Sequence, residues 1–384
     1  MKICYNMRGD YMVYLDYSAT TPVDKKVLDS FNETTLKYIG NPNSHHKLGL
    51  EAKHAIDNAT KVIANILKVK ENEIVYTSGA SESNNLAIKG IAMRYSDRGK
   101  HIITSELEHS SVIAPIAYLQ SEGYEVDFVK LDSNGQVDLE HFKSILREDT
   151  ILVSLASVNS EIGIKQPINK IGEILKEYKN CFFHVDMTQS IGKEHVTLDN
   201  IDLASISAQK FYGLKGIGML YRKSGVMVEP LIHGGRSTTA FRSGTPAISL
   251  IVSMATSLEL AVNELDSKIS YVEKLNKTLK DKLSKYSNVV INSNDYSIPH
   301  ILNISVRGID ANGLQHSLEE YDVYISTQTA CSSDEAASKG IYALTGDIEL
   351  ANTSVRISLS HLTTMDELDT FINAFDKCYH RLLV

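Results

Sequence analysis

The chain has 384 residues, 43% of them hydrophobic and 22% charged, and a formal net charge of -8. That length allows a large core and two domains, and the acidic balance disfavours sequence-independent nucleic-acid binding. No apolar run approaches the ~20 residues of a membrane span, and Met1 to Tyr11, carrying Lys2, Arg8 and Asp10, lacks the apolar stretch of a secretory signal.

Met12 is a candidate alternative start, which would make the opening residues a dispensable tail. Cys4, Cys181, Cys331 and Cys378 lie far apart, with no CxxC and no metal-ligand spacing. A reducing, cytoplasmic setting fits that usage, and one of the four is available as a nucleophile.

Val13-Tyr14-Leu15-Asp16-Tyr17 reads as a short strand ended by Ser18-Ala19-Thr20-Thr21-Pro22. Pro22 can open a helix over Val23 to Tyr38. Gly40-Asn41-Pro42-Asn43-Ser44 is a loop, rich in turn residues. A helix from about Gly49 to Leu67 places Ala52, Ala55, Ile56, Ala59, Val62, Ile63 and Ile66 on one face. Ile74-Val75-Tyr76 is a strand, followed by Thr77-Ser78-Gly79-Ala80-Ser81-Glu82-Ser83 and a helix from Asn84 to Tyr95. Strand, small polar loop and helix start form an anion site, because free N–H groups and the helix dipole point at a phosphate. With no GxGxxG and no Walker lysine, a single phosphate group fits better than a nucleotide. An ordinary serine-capped helix is the competing reading.

From His101 to Leu220 strands and helices alternate, with strands predicted at 101–105, 125–130, 151–158, 182–186, 203–207 and 216–221, and helices at 110–121, 139–146 and 168–178. This pattern gives an α/β fold with a mostly parallel sheet covered on both faces. His109 and Asn159 each fall at a strand exit. So do Asp186, in His184-Val185-Asp186-Met187-Thr188-Gln189-Ser190, and Lys210, in Ser205-Ile206-Ser207-Ala208-Gln209-Lys210. Ligands of open α/β sheets sit outside the carboxyl ends of strands. An acid and a lysine at two such ends match pyridoxal phosphate, whose aldehyde forms a Schiff base with lysine and whose ring nitrogen takes a carboxylate partner. On the pair alone, a turn aspartate and a surface lysine explain the pattern as well.

A helical stretch from about Ile248 to Tyr286 leads away from the sheet. Strands follow at 288–292, 300–306, 323–326 and 355–359, with helices at 311–320 and 365–383, the last opened by a Thr364/Glu367 capping box. This is an α+β domain of roughly one hundred residues. The loop Thr327 to Gly340 holds Cys331 among small polar residues. Free cysteines are mostly buried, so one in such a loop suggests a nucleophile, although a surface thiol of no consequence reads the same way. Acids beside a thiol disfavour its thiolate, so with Asp334 and Glu335 near it, activation of Cys331 is expected from elsewhere.

These residues together resemble the NifS/IscS-like cysteine desulfurases, within the class-V aminotransferase group of fold-type I pyridoxal-phosphate enzymes. The likeness runs from Val13 to the C-terminus. It rests on Tyr14–Pro22, Gly40-Asn41-Pro42, Thr77–Asn85, Glu108-His109, Asn159-Ser160-Glu161-Ile162-Gly163, His184–Ser190 and Arg242-Ser243-Gly244-Thr245. The resemblance implies a large domain over 15–262 with a seven-stranded, mostly parallel sheet, and a smaller domain made of 1–14 and 263–384. It implies pyridoxal 5'-phosphate on Lys210, with Asp186 at the ring nitrogen and His109 stacked on the ring, a candidate proton carrier. Asn159 and Gln189 would bond the ring oxygen. Ser81, Ser207 and Gln209 would bind the phosphate, joined by Thr245 of a second subunit in a homodimer. Arg356 and Asn41 would bind L-cysteine, and Cys331 would take its sulfur as a persulfide. The sulfur then passes to an acceptor, an iron–sulfur scaffold or a thiolation relay.

The chain departs from the family pattern in three places. Gln209 stands where histidine is usual, Arg236 to Phe241 differs from the usual run before RSGT, and Ile357-Ser358-Leu359-Ser360-His361 follows Arg356 where glycine-arginine commonly ends the run. Another pyridoxal-phosphate reaction, such as transamination or cysteine or selenocysteine cleavage, and a non-catalytic scaffold are the alternatives on the same fold.

Overall fold

A computed structural model describes residues 12–235, 237–327 and 337–383. β1 (Val13–Tyr14), α1 (Lys25–Lys37) and α2 (Lys47–Leu67) open the chain. Then come β2 (Ile74–Thr77), α3 (Ala80–Arg94), β3 (His101–Thr104), α4 (Ser110–Ser121), β4 (Glu125–Phe128), α5 (Leu139–Ile145), β5 (Thr150–Ala156), α6 (Ile168–Leu175), β6 (Phe182–Asp186), β7 (Leu203–Ser207) and β8 (Gly218–Arg222). The second half holds α7 (Ile248–Val262), α8 (Leu265–Leu283), β9 (Val289–Ile291), β10 (Ile301–Val306), α9 (Ala311–Glu319), β11 (Val323–Tyr324), α10 (Lys339–Thr345), α11 (Ile348–Asn352), β12 (Ser354–Ser358) and α12 (Met365–Leu382).

The central sheet has seven strands in the order β2-β8-β7-β6-β5-β3-β4. Only β8 runs against its neighbours β2 and β7, so the α/β, mostly parallel expectation holds. Successive residues face opposite layers, as strand geometry requires. Tyr76, Ile103, Val153 and Ile206 pack with Ile63 of α2, Ile171 of α6 and Leu258 of α7. Val75, Ile102, Leu152 and Leu203 pack with Ile91 of α3 and Ile116 of α4. Covered on both faces, β5, β7 and β8 are buried along their whole length.

A second core gathers Val13 and Leu15 with Leu275 and Leu279 of α8, Leu302 and Ile304 of β10, Leu314 of α9, Val355 of β12 and Phe371 and Phe375 of α12. Its sheet is antiparallel, in the order β12-β10-β9. β1 pairs in parallel with β11, and Asp16 bridges to Ser358. The N-terminal segment therefore passes from the second core to the carboxyl ends of the central strands.

Three local expectations need correction. The helix after β2 begins at Ala80, four residues before the predicted Asn84, because Gly79 at φ 152° makes the break and the serines fall inside the first turn. The predicted continuous helix over 248–286 breaks between Val262 and Leu265, with Glu264 left-handed at φ 55° and the two helices bent by 66°. Short helices α10 and α11 lie where no element is predicted. Among the described residues, no single helix is long and apolar enough to cross a membrane.

Candidate active site

The carboxyl ends of β2, β5, β6 and β7 surround a cavity of ≈ 480 Å³, which the N-terminal segment and β12 close from the side. Lys210, Asp186, His109, Gln189, Ser81, Ser207, Gln209 and Arg356 all line it, with Ser18, Thr20, Thr188 and Lys215 between them. These side chains come from positions as far apart as 18 and 356.

Lys210 follows β7 and points its Nζ at the Ser18 and Ala19 carbonyls, 2.6 and 2.7 Å away. Asp186 ends β6 and is buried. Its Oδ1 accepts from the Thr188 N–H at 3.0 Å and its Oδ2 from Asn84 Nδ2 at 2.8 Å. Asn84 also donates to Ser111 Oγ at 2.8 Å, which stands 2.8 Å from His109 Nδ1. The Ser111 backbone N–H donates to the same Nδ1 at 3.1 Å, so this nitrogen accepts and the proton of the neutral ring sits on Nε2. Burial pushes the His109 pKa down, and Lys210 and Arg356 push the same way against Asp186. Beside it, burial pushes the Glu108 carboxyl up to about 8.

At the other end of the cavity, Ser78, Gly79, Ala80 and Ser81 form the N-terminal turn of α3, opposite Ser207. Glu82 accepts from the Ser78 N–H at 2.7 Å and pairs with Arg242 at 2.9 Å. Burial works against its charge, but Arg242 and Ser78 hold the carboxyl below its usual range. Arg356 is 1% exposed. Its Nη2 donates to Asp16 at 2.8 Å and its Nη1 to the Ser160 carbonyl at 2.9 Å, while its buried Nε meets no partner. Its backbone pairs both ways with Ser326, the described residue just before the cysteine loop.

Residues 13–371 match the family model "Aminotransferase class-V". A protein of Dictyoglomus turgidum named "Cysteine desulfurase IscS" is 38% identical over 96% of this chain and 95% of its own length. A solved structure titled "NIFS-LIKE PROTEIN" superposes with a TM-score of 0.91 at 36% identity, covering 97% of this chain and 100% of the other. A structure titled "SspA in complex with cysteine" superposes at 0.81 and 32% identity, covering 90% of this chain and 98% of the other.

The chain belongs to the class-V aminotransferase family.

Membership in the class-V aminotransferases implies pyridoxal phosphate, and the residues fit that group. A lysine amine and a buried carboxylate face one cavity, and a helix N-terminus ringed by hydroxyls lies within the same walls. The Thr20 and Thr188 hydroxyls and Arg356 Nε are buried without partners, as expected of polar groups built for a ligand.

Two predicted site residues, Asn159 and Asn41, do not line the cavity, and Thr245, expected at a second subunit's site, does not line its own. Asn159 donates its carboxamide N–H to the Leu107 carbonyl at 2.8 Å and accepts from the Glu161 and Ile162 N–H groups at 3.0 and 2.7 Å. Asn41 is exposed and caps its own turn at Asn43. Thr245 is also exposed and does not line the cavity of its own subunit. Cys331 lies outside the described residues.

Asp16, Asn84, Thr188 and Lys193 belong to the site's hydrogen-bond network and were not singled out from sequence. Asn84 reaches Asp186 across 102 positions of sequence, which no local pattern encodes. Only Thr188 and Lys193 carried a legible signal, through their nearness to Asp186 and Gln189.

Proposed function

We propose that this protein is a pyridoxal-phosphate-dependent cysteine desulfurase that converts L-cysteine to L-alanine and passes the sulfur to an acceptor protein. The observation that carries the reading is the convergence of Lys210, Asp186, His109 and Arg356 on one cavity, in a chain with full-length relatives named cysteine desulfurase. When bound, the cofactor supplies a Schiff base and an electron sink for the substrate α-carbon.

The chain's own groups do the rest. Asp186, fixed by Asn84 and Thr188, would accept from the cofactor's ring nitrogen, and the first turn of α3, with Ser78, Ser81 and Ser207, would hold its phosphate. Arg356 clamps the substrate carboxylate through its unpartnered Nε and an adjacent N–H, the fork geometry that suits arginine. Lys210 Nζ, facing the Ser18 and Ala19 carbonyls, takes and returns the α-proton, and His109 Nε2 carries the second proton. The Cys331 thiolate attacks the substrate sulfur, the C–S bond breaks, an S–S bond forms, and a proton goes to carbon. The departure of its loop from Ser326, backbone-paired with Arg356, supports that role.

We also assign 15–262 as the cofactor-binding domain, and 1–14 with 263–384 as the smaller one. Leu36 and Ile39, 87% and 86% exposed, and the outward-facing Thr245 support a homodimer in which Thr245 completes the neighbour's phosphate site. The acceptor is an iron–sulfur scaffold or thiolation relay in the cytoplasm.

Incubating the protein with L-cysteine and reductant tests the activity. Alanine and sulfide form in equal amounts, and Cys331→Ala abolishes sulfide under limiting reductant. Sulfide release that is indifferent to Cys331→Ala would instead establish a cysteine lyase.

A further inference from the structure

Lys193 is a lysine in an unusual place. It is 7% exposed, and among the described residues no carboxylate pairs with it. Burying an unpaired ammonium is costly, so such a lysine requires a reason. Its Nζ sits 2.6 Å from Gln189 Oε1. Gln189 in turn donates through Nε2 to the Ser18 carbonyl at 3.0 Å, the same oxygen that Lys210 Nζ approaches at 2.6 Å. Gln189 lines the cavity and Lys193 does not.

The chain of contacts fixes an orientation. A lysine donates, so the atom it touches must be the amide oxygen. The NH2 group of Gln189 is thereby turned toward Ser18, Lys210 and the cavity. Lys193, a donor at the amide oxygen, and the Ser18 carbonyl, an acceptor at the NH2 group, together oppose a flip that would present the oxygen to the cavity. When protonated, Lys193 also adds positive charge behind the site, beside Lys210 and Arg356, with His300 nearby. Burial first, and Lys210 and Arg356 after it, push its pKa down to about 7.

We propose that Lys193 is a positioning residue that locks the Gln189 carboxamide with its NH2 group toward the cavity, so that Gln189 donates to an acceptor oxygen of the bound cofactor. This rests on the cofactor reading above. A donor held against that oxygen, its amide polarised by Lys193 behind it, would lower the oxygen's basicity and so lower the pH at which the lysine-bound cofactor loses its proton.

The test loads wild type, Lys193→Met, Gln189→Leu and the double variant with pyridoxal phosphate and titrates the visible absorption of each with pH. Lys193→Met raises the midpoint by about one pH unit, a tenfold change in proton affinity. Gln189→Leu raises it similarly, and the double variant matches Gln189→Leu, because Lys193 acts through Gln189. A midpoint unmoved in Lys193→Met, or an additive double variant, overturns the proposal. Should Lys193→Met not fold, Lys193→Gln keeps a donor without the charge. Its midpoint falls between wild type and Gln189→Leu, and identity with wild type overturns the proposal. Absence of a lysine-bound absorption in the wild type would instead sink the cofactor reading.

Discussion

Arg356 enters the cavity with two of its nitrogens already engaged, on Asp16 and the Ser160 carbonyl. The plane of its guanidinium is thus set before any ligand arrives, which lowers the ordering cost of binding. Arg356→Lys keeps the charge and loses the fork. The expected result is a KM for L-cysteine raised roughly 10- to 100-fold, in line with ~1.5–3 kcal/mol for a charge-assisted hydrogen bond, with a smaller change in kcat. Steady-state kinetics with cysteine would check it, and an unchanged KM would remove Arg356 from substrate binding. At this scale the sequence was informative where a residue type is itself the chemistry, as with Lys210, Asp186 and Arg356. It was silent where a common residue acquires a role from distant neighbours, as with Asn84. Asn159, expected at the ring oxygen, bonds Leu107, Glu161 and Ile162, contacts that sequence spacing does not encode.

The element that matters most is the junction of β2 and α3. Gly79 takes φ 152°, open to glycine alone, and lets the strand turn directly into the helix. Gly218 of β8 packs against it so closely that an added Cβ would lie 2.6 Å from Gly79 Cα. Gly218→Ala must therefore displace the turn proposed to hold the phosphate. A loss of ~1–3 kcal/mol in stability is expected from such overpacking, together with about tenfold weaker retention of pyridoxal phosphate on dialysis. Thermal unfolding and cofactor release measure the two effects, and full retention at wild-type rate would show that this turn does not hold the phosphate.

Element boundaries were harder to read than element types. The serines at 81 and 83 look like loop residues, yet Ser83 Oγ bonds Thr77 Oγ1 at 2.8 Å from inside the helix. The break between α7 and α8 carries neither glycine nor proline. Across it Lys268 Nζ donates back to the Leu260 carbonyl at 2.6 Å, a contact that marks the break but has no turn-residue signature.

Over the whole molecule, two cores meet at a site that neither completes alone. The central sheet supplies Lys210, Asp186 and His109, and β12 supplies Arg356. Strand alternation made the α/β layering legible, whereas the return of β1 to pair with β11 was not, because parallel pairing between the two chain ends leaves no trace in spacing. Several histidines are sealed within this fold. Burial, with help from Lys193 and His361, pushes His300 down to about 3, and burial lowers His184 between Ser154 and Ser205.

The sign of the effect follows from proton binding. The unfolded chain protonates His300 near pH 6.5 and the folded chain does not, so its contribution is complete above pH 6.5 and is lost as pH falls toward 3. His300→Phe removes that dependence and flattens stability against pH over this window by up to ~1.4 kcal/mol per unit. Urea unfolding at a series of pH values checks it, and a parallel curve would contradict it. A further prediction concerns assembly: in a homodimer, Thr245→Ala weakens cofactor retention although Thr245 does not line its own subunit's cavity. Full retention in a dimeric variant would contradict the shared site.

The proposed chemistry depends above all on one covalent bond, between Lys210 and the cofactor. Reducing the pyridoxal-phosphate-loaded protein with borohydride and sequencing the labelled peptide by mass spectrometry tests it directly. The predicted result is a single pyridoxyl group on Lys210 and none in Lys210→Ala. Label on Lys193 or Lys215, or no label at all, would contradict it.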